Sequence, residues 1–208
     1  MLVKTKRTIK RVAVFGDSEA KKTDRHFIDA YNVAKLLGQK GYIVLNGGGP
    51  GVMLAATLGA KVGGGKVETV VIETKKRLSN YEGSSEDNCN MADKIVYTKN
   101  YLERMGKLVE LADAYIILKG GVGTLSEIGL AWQMAKFDYG RHKPLVFLGK
   151  EINQAMSDVV ERLEFDKMEI DLYEQVSTPE EAVEVIKNKK GVVKENSGWM
   201  GKLFDLFD

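Results

Sequence analysis

Ala114-Tyr115-Ile116-Ile117-Leu118-Lys119-Gly120-Gly121-Val122-Gly123-Thr124-Leu125-Ser126-Glu127 is the stretch on which the reading of this chain turns. Ala114 to Leu118 is a short, apolar, β-favouring run of the kind a doubly covered strand requires. The glycines at 120, 121 and 123 then make a turn that admits positive φ and close approach of a ligand to the backbone. Thr124 stands in the capping position of the helix that follows. The first amides of a helix have no internal partner and lie at the positive end of its dipole, so this strand–turn–helix junction reads as an anion site, most naturally for phosphate. Glu127 is placed one turn in, where a carboxylate faces whatever the loop holds.

The same pattern recurs upstream. Val12-Ala13-Val14-Phe15 reads as a buried strand ending at Gly16-Asp17-Ser18, and Phe27, Tyr31, Ala34 and Leu37 follow at helical spacing. Tyr42 to Leu45 reads as a second strand, and Asn46-Gly47-Gly48-Gly49-Pro50-Gly51 opens the next helix, with Pro50 in its first turn. Further strands are expected at 67–72, 95–97, 144–148 and near 173–176, with helices over 152–163 and 179–187. Leu102, Met105, Val109 and Ala112 mark a helix that carries Arg104. Residues 73–92 show no period and are expected to form a long loop. Strands alternating with helices in this way predict an α/β fold, a Rossmann-like, doubly wound, mostly parallel sheet with helices on both faces. One such domain is expected over residues 1–190, followed by a polar linker and an apolar tail over 191–208. The loops after Phe15, Leu45 and Leu118 then lie on one sheet edge, where ligands of such folds bind.

Composition narrows the function classes. The 208 residues carry 29% charged side chains of mixed sign and a net charge of +2, which gives no reason to invoke nucleic acid. Cys89 is the single cysteine, so no internal disulfide framework exists and a reducing cytoplasm is expected. The basic N-terminus lacks the apolar core of a signal peptide, and no apolar run approaches a membrane span. His26 and His142 have no partner spacing that implies a metal.

Asn46-Gly47-Gly48-Gly49-Pro50-Gly51-Val52-Met53 resembles the GGGPG-x-M segment of the LOG ("lonely guy") family of nucleoside 5′-monophosphate phosphoribohydrolases. Gly120 to Glu127 is similar to the family's GGxGTxxE signature, and Arg104, just ahead of Ala112-Asp113-Ala114, falls where the family has its catalytic arginine. The resemblance covers roughly residues 11–150. Two departures are Lys119, where the signature begins with proline, and Met105, where a lysine follows the arginine.

The resemblance implies a Rossmann-like homodimer or larger homo-oligomer in the cytoplasm that cleaves the N-glycosidic bond of AMP or an N6-modified AMP. Glu127 and Arg104 would be catalytic; Ser18, Gly47, Gly48, Gly49, Gly51, Gly120, Gly121, Val122, Gly123 and Thr124 would hold the substrate and its phosphate. Neither metal nor other cofactor is implied, and the same fold serves carriers that hold a nucleotide or the molybdenum cofactor without cleaving it. A third reading is a nucleotide-sensing module whose tail recruits a partner.

Read from spacing alone, several of these residues have plainer roles. Thr124-x-x-Glu127 is a capping box, and Arg104 is a solvated helix residue. Asp17 and Ser18 serve a turn as well as they serve a ribose. Met53 and Trp132 read as core. The tail residues Trp199, Phe204 and Phe207 are either a frayed end or an element docked on the body or on another subunit.

Overall fold

Strand β2 (Arg11–Phe15) shows how one alternation builds two cores. Val12 and Val14 are fully buried on one face, and Ala13 and Phe15 are buried on the other. The structure is a computed structural model that describes residues 6–73, 85–188 and 191–192. After β1 (Lys6–Arg7) and β2 come α1 (Arg25–Gln39), β3 (Ile43–Asn46), α2 (Val52–Val62), β4 (Lys66–Ile72), α3 (Glu86–Met91) and β5 (Lys94–Thr98). There follow α4 (Tyr101–Leu111), β6 (Ala114–Ile117), α5 (Val122–Phe137), β7 (Leu145–Leu148) and α6 (Lys150–Arg162). Last come α7 (Lys167–Ile170), β8 (Tyr173–Val176), α8 (Pro179–Asn188) and β9 (Gly191–Val192).

Seven strands form one sheet in the order β5-β4-β3-β2-β6-β7-β8, and every pairing in it is parallel. Such a sheet needs both faces covered. Helices α1, α2 and α8 cover one face, through Val33, Leu37, Ala55, Ala56, Val183 and Ile186. Helices α4, α5 and α6 cover the other, through Leu108, Val109, Ile128, Ala131, Ile152 and Met156. The result is a single Rossmann-like, doubly wound α/β domain. From β2 the chain winds outward to β5, then returns to β6 at the centre and winds the other way, so the switch point lies between β2 and β6.

Several local expectations are corrected. The stretch after β4 contains helix α3, which at six residues is too short to display a period; Ser85 caps it by accepting from Asn88 N–H at 3.4 Å. Helix α7 is likewise a single short turn, closed by the Asp166/Glu169 capping box. Strands β1 and β9 pair antiparallel, Lys6 with Val192 and Arg7 with Gly191, an element the sequence pattern does not announce. The Thr178 cap forms: Glu181 N–H donates to the Thr178 hydroxyl, and the Glu181 carboxylate accepts from Ser177 and Thr178 N–H. Residues 193–208, including the apolar tail, lie outside the described residues. Among the described residues no helix is long and apolar enough to cross a membrane.

Candidate functional site

A cleft of about 420 Å³ opens at the switch point. The end of β2 and its loop contribute Phe15, Gly16, Asp17, Ser18 and Glu19; the loop and start of α2 contribute Pro50 and Met53. Helix α4 adds Tyr101 and Arg104, and the start of α5 adds Gly121, Val122, Gly123, Thr124 and Glu127. The size is that of a pocket for one small molecule.

The backbone between these elements is tied directly. Asp17 N–H donates to Lys119 C=O at 3.0 Å, and Val52 N–H donates to Asp17 C=O at 2.8 Å. Any residue supplies a carbonyl, so Lys119 meets this requirement as well as proline. Gly51 has φ of +62° and lies so close to the Asp17–Ser18 backbone that a Cβ there would overlap it. Only glycine allows the β3 and β2 loops to touch.

The wall at α5 differs from its sequence reading. The helix begins at Val122 with Gly121 as N-cap, three residues earlier than expected, and no side chain caps it. Thr124 is therefore in the first turn, buried, with its hydroxyl packed over Gly120, and the Thr124–Glu127 capping box does not form. None of Gly120, Gly121 or Gly123 has positive φ. What glycine supplies is space: a Cβ on Gly120 would collide with Thr124, while one on Gly121 would project into the open. The ladder of α5 begins with Leu125 N–H to Gly121 C=O, so the amides of Val122, Gly123 and Thr124 precede it at the mouth of the cleft.

Arg104 and Glu127 reach the same cleft from different helices. Each is largely withdrawn from solvent, at 7% and 9% exposed. The Arg104 guanidinium is fixed by protein carbonyls: Nε donates to Val70 C=O at 3.1 Å and Nη2 donates to Gly47 C=O at 3.0 Å, with Met53 Sδ 3.9 Å away. It is not the solvated helix residue that spacing alone implies.

Gly47, Gly48 and Gly49 are not among the residues that line the cleft, and their carbonyls are engaged within the protein. Besides the Gly47 bond to Arg104, the Gly48 carbonyl accepts from Ser85 N–H at 2.8 Å and the Gly49 carbonyl from Asn88 Nδ2 at 2.7 Å. Gly48 N–H donates to Asn46 Oδ1 at 2.8 Å. Behind the loop, Asn46 Nδ2 donates to the Thr57 hydroxyl at 2.9 Å, and that hydroxyl donates to Asn88 Oδ1 at 2.6 Å. All three side chains are fully buried, where an unsatisfied polar group costs about 1–3 kcal/mol. None of the three stands out in the sequence; Asn46 next to the glycine run is the nearest to a signal.

Other residues also shift in role. Met53 lines the cleft, whereas Trp132 is core: it stacks on Phe165 at 4.8 Å and donates through Nε1 to Glu169 C=O at 2.9 Å. Met105 is buried and not among the cleft-lining residues, so its exchange for lysine falls in the interior. Asp17 Oδ2 is 3.3 Å from His26 Nε2, and Asp17 Oδ1 accepts from Glu19 N–H at 2.9 Å, so this carboxylate closes its own loop.

The sequence model of the SLOG cluster4 family matches residues 9–183. An uncharacterized protein from Archaeoglobus fulgidus is 34% identical over 131 residues, spanning 63% of this chain and 80% of that protein. The molybdenum cofactor binding protein of Rippkaea orientalis superposes with a TM-score of 0.64 at 24% identity, covering 86% of this chain and 96% of that one. The molybdenum cofactor carrier protein of Chlamydomonas reinhardtii gives 0.63 at 21%, with 86% and 97% covered. DNA processing protein A of Helicobacter pylori, known for single-stranded DNA binding, gives 0.61 at 17%, with 88% and 82% covered. These structural likenesses establish a shared fold.

Proposed function

The chain belongs to the SLOG cluster4 family, and we propose that this member hydrolyses the N-glycosidic bond of a purine nucleoside 5′-monophosphate, AMP or an N6-modified AMP, to free base and ribose 5-phosphate. The observation that carries the reading is that a buried carboxylate, Glu127, lines the same cleft as the amide-bearing start of α5. A site that only holds an anionic ligand is weakened by a carboxylate beside it. A site that must stabilise positive charge on a ribose requires one.

In this mechanism the α5 amides anchor the 5′-phosphate, and that remote binding energy positions the reacting bond. Arg104, with Nε and Nη2 already committed to carbonyls, offers its remaining edge to the ligand. The bond between C1′ and the base nitrogen breaks, and its electron pair leaves with the base, which takes up a proton. Positive charge spreads over C1′ and the ring oxygen, as in glycoside hydrolysis. Glu127 stabilises that charge and accepts a proton from the water whose oxygen bonds to C1′. Met53, Pro50 and Tyr101 supply an apolar wall suited to a purine face.

Incubation with each nucleoside monophosphate, followed by detection of free base, tests the reading. Release of adenine from AMP supports it. Tight binding without release points to the second reading, a carrier, which is favoured by the likeness to the two molybdenum-cofactor proteins along nearly their whole lengths.

A further inference from the structure

Arg104 is held by two acceptors of different kinds. Val70 lies in β4, which pairs with strands on both sides, so its carbonyl is fixed by the sheet. Gly47 lies in a loop, and its carbonyl stays in place only if the loop does. The loop is held by the ring of Asn46, Thr57 and Asn88. The Thr57 hydroxyl accepts from Asn46 Nδ2 and donates to Asn88 Oδ1. It thereby dictates how both amides face: Asn46 Oδ1 must meet Gly48 N–H, and Asn88 Nδ2 must meet the Gly49 carbonyl. Asn88 Nδ2 also approaches Asn46 Oδ1 at 3.4 Å, closing the ring. Asn46 ends β3, Thr57 is inside α2 and Asn88 is inside α3, so three elements converge on one four-residue turn.

We propose that Asn46, Thr57 and Asn88 are positioning residues for Arg104. Their ring fixes the Gly47 carbonyl and so selects one guanidinium orientation in the cleft from the many an arginine otherwise samples. What Arg104 then does for a ligand rests on the nucleotide reading above; its orientation by the ring does not. A purely structural ring would lower stability when broken and leave the guanidinium where it is.

The test uses the full chain labelled with ¹⁵N, with the Arg104 Nη2–H signal assigned by its loss in Arg104→Lys. In Thr57→Val, which keeps shape but loses the hydroxyl, exchange of the Nη2–H that donates to Gly47 should accelerate by at least about tenfold, and Thr57→Ser should restore it. Unchanged exchange in a folded Thr57→Val overturns the proposal. Wild-type protein supplies a second measurement should that variant not fold. Gly48 N–H and Arg104 Nη2–H should open with the same temperature dependence, and an Arg104 Nη2–H that opens independently of Gly48 overturns the proposal equally.

AMP then serves as probe. Thr57→Val should weaken AMP affinity or turnover in the wild-type background and add nothing in the Arg104→Lys background. Equal losses in both backgrounds count against positioning. Wild-type protein that neither binds nor cleaves AMP ends the nucleotide reading and leaves the exchange experiment to decide the ring.

Discussion

The Arg104 guanidinium donates to the Gly47 carbonyl at 3.0 Å, so helix α4 is latched to the glycine turn after β3. The two glycine motifs therefore do different work. The turn after β3 holds a side chain, and the turn before α5 lines the cleft.

Gly47→Ala should reproduce the loss of Arg104. Its Cβ would occupy the place of Arg104 Nη2, so the guanidinium must leave. Calorimetric titration with AMP should show about a tenfold or greater loss of affinity in both Gly47→Ala and Arg104→Ala. Wild-type affinity in Gly47→Ala would show that Arg104 works from another position.

Gly120 and Gly121 should respond oppositely to alanine. The added methyl at Gly120 meets Thr124, whereas at Gly121 it meets nothing and the backbone φ of −98° is ordinary. Gly120→Ala should lower the melting temperature measurably. Gly121→Ala should hold it within about 2 °C while weakening competition by inorganic phosphate, because the methyl stands at the mouth of the proposed anion site.

Glu127→Gln should keep AMP binding and lower free-base release by about a hundredfold or more. Thr124→Val is the control, because it alters the buried first turn of α5 without touching the charge. Equal turnover in Glu127→Gln and wild type would end the hydrolytic mechanism.

The Lys136–Glu169 pair sets an acid limb of stability. A hydrogen bond from Lys136, then one from Asp166 N–H, holds the Glu169 carboxyl below its ordinary range, and Glu169 in turn raises Lys136. A depressed carboxyl pKa contributes stability that is complete above the ordinary value of about 4.3 and is lost as pH falls through the folded value. The raised lysine contributes stability that is complete below about 10.4 and is lost as pH rises through its folded value. The contribution of this pair to the melting temperature should be constant between these limits. Lys136→Met should make the acid decline shallower while changing the neutral melting temperature by at most about 2 °C.

Assembly is expected to use the starts of α4 and α5. Leu102, Val122 and Leu125 are 67%, 80% and 58% exposed there, apolar surface of the kind that marks an interface. Light scattering at micromolar concentration should give a dimer or larger particle, and Leu125→Asp should reduce its mass. A wild-type monomer would remove this expectation.

Strand alternation made the sheet legible, because Val12/Val14 and Ala13/Phe15 already separate into two faces on paper. Thr178-Pro179-Glu180-Glu181 likewise announced α8, since its cap is a local affair. The glycine runs marked the site, yet pattern alone does not tell that Gly47 makes room for a guanidinium 57 residues further on. The start of α5 departs from its pattern because a threonine beside glycines is the stronger cap signal, whereas here its hydroxyl packs on Gly120. The Asn46–Thr57–Asn88 ring was invisible for a related reason: three ordinary polar residues become a unit only through tertiary contact.

The register of β2 against β6, Val12 beside Ala114 and Phe15 beside Ile117, has a kinetic consequence. The two strands are about a hundred residues apart, so joining them closes a long loop at an entropic cost, and such non-local contacts slow folding. Both walls of the crevice hang from that junction. A nascent chain therefore offers its ligand nothing to hold until most of the sheet is synthesised and zipped. A nucleotide that binds the finished crevice should act as a lock on a closed door, lengthening the native lifetime while leaving the refolding rate as it is.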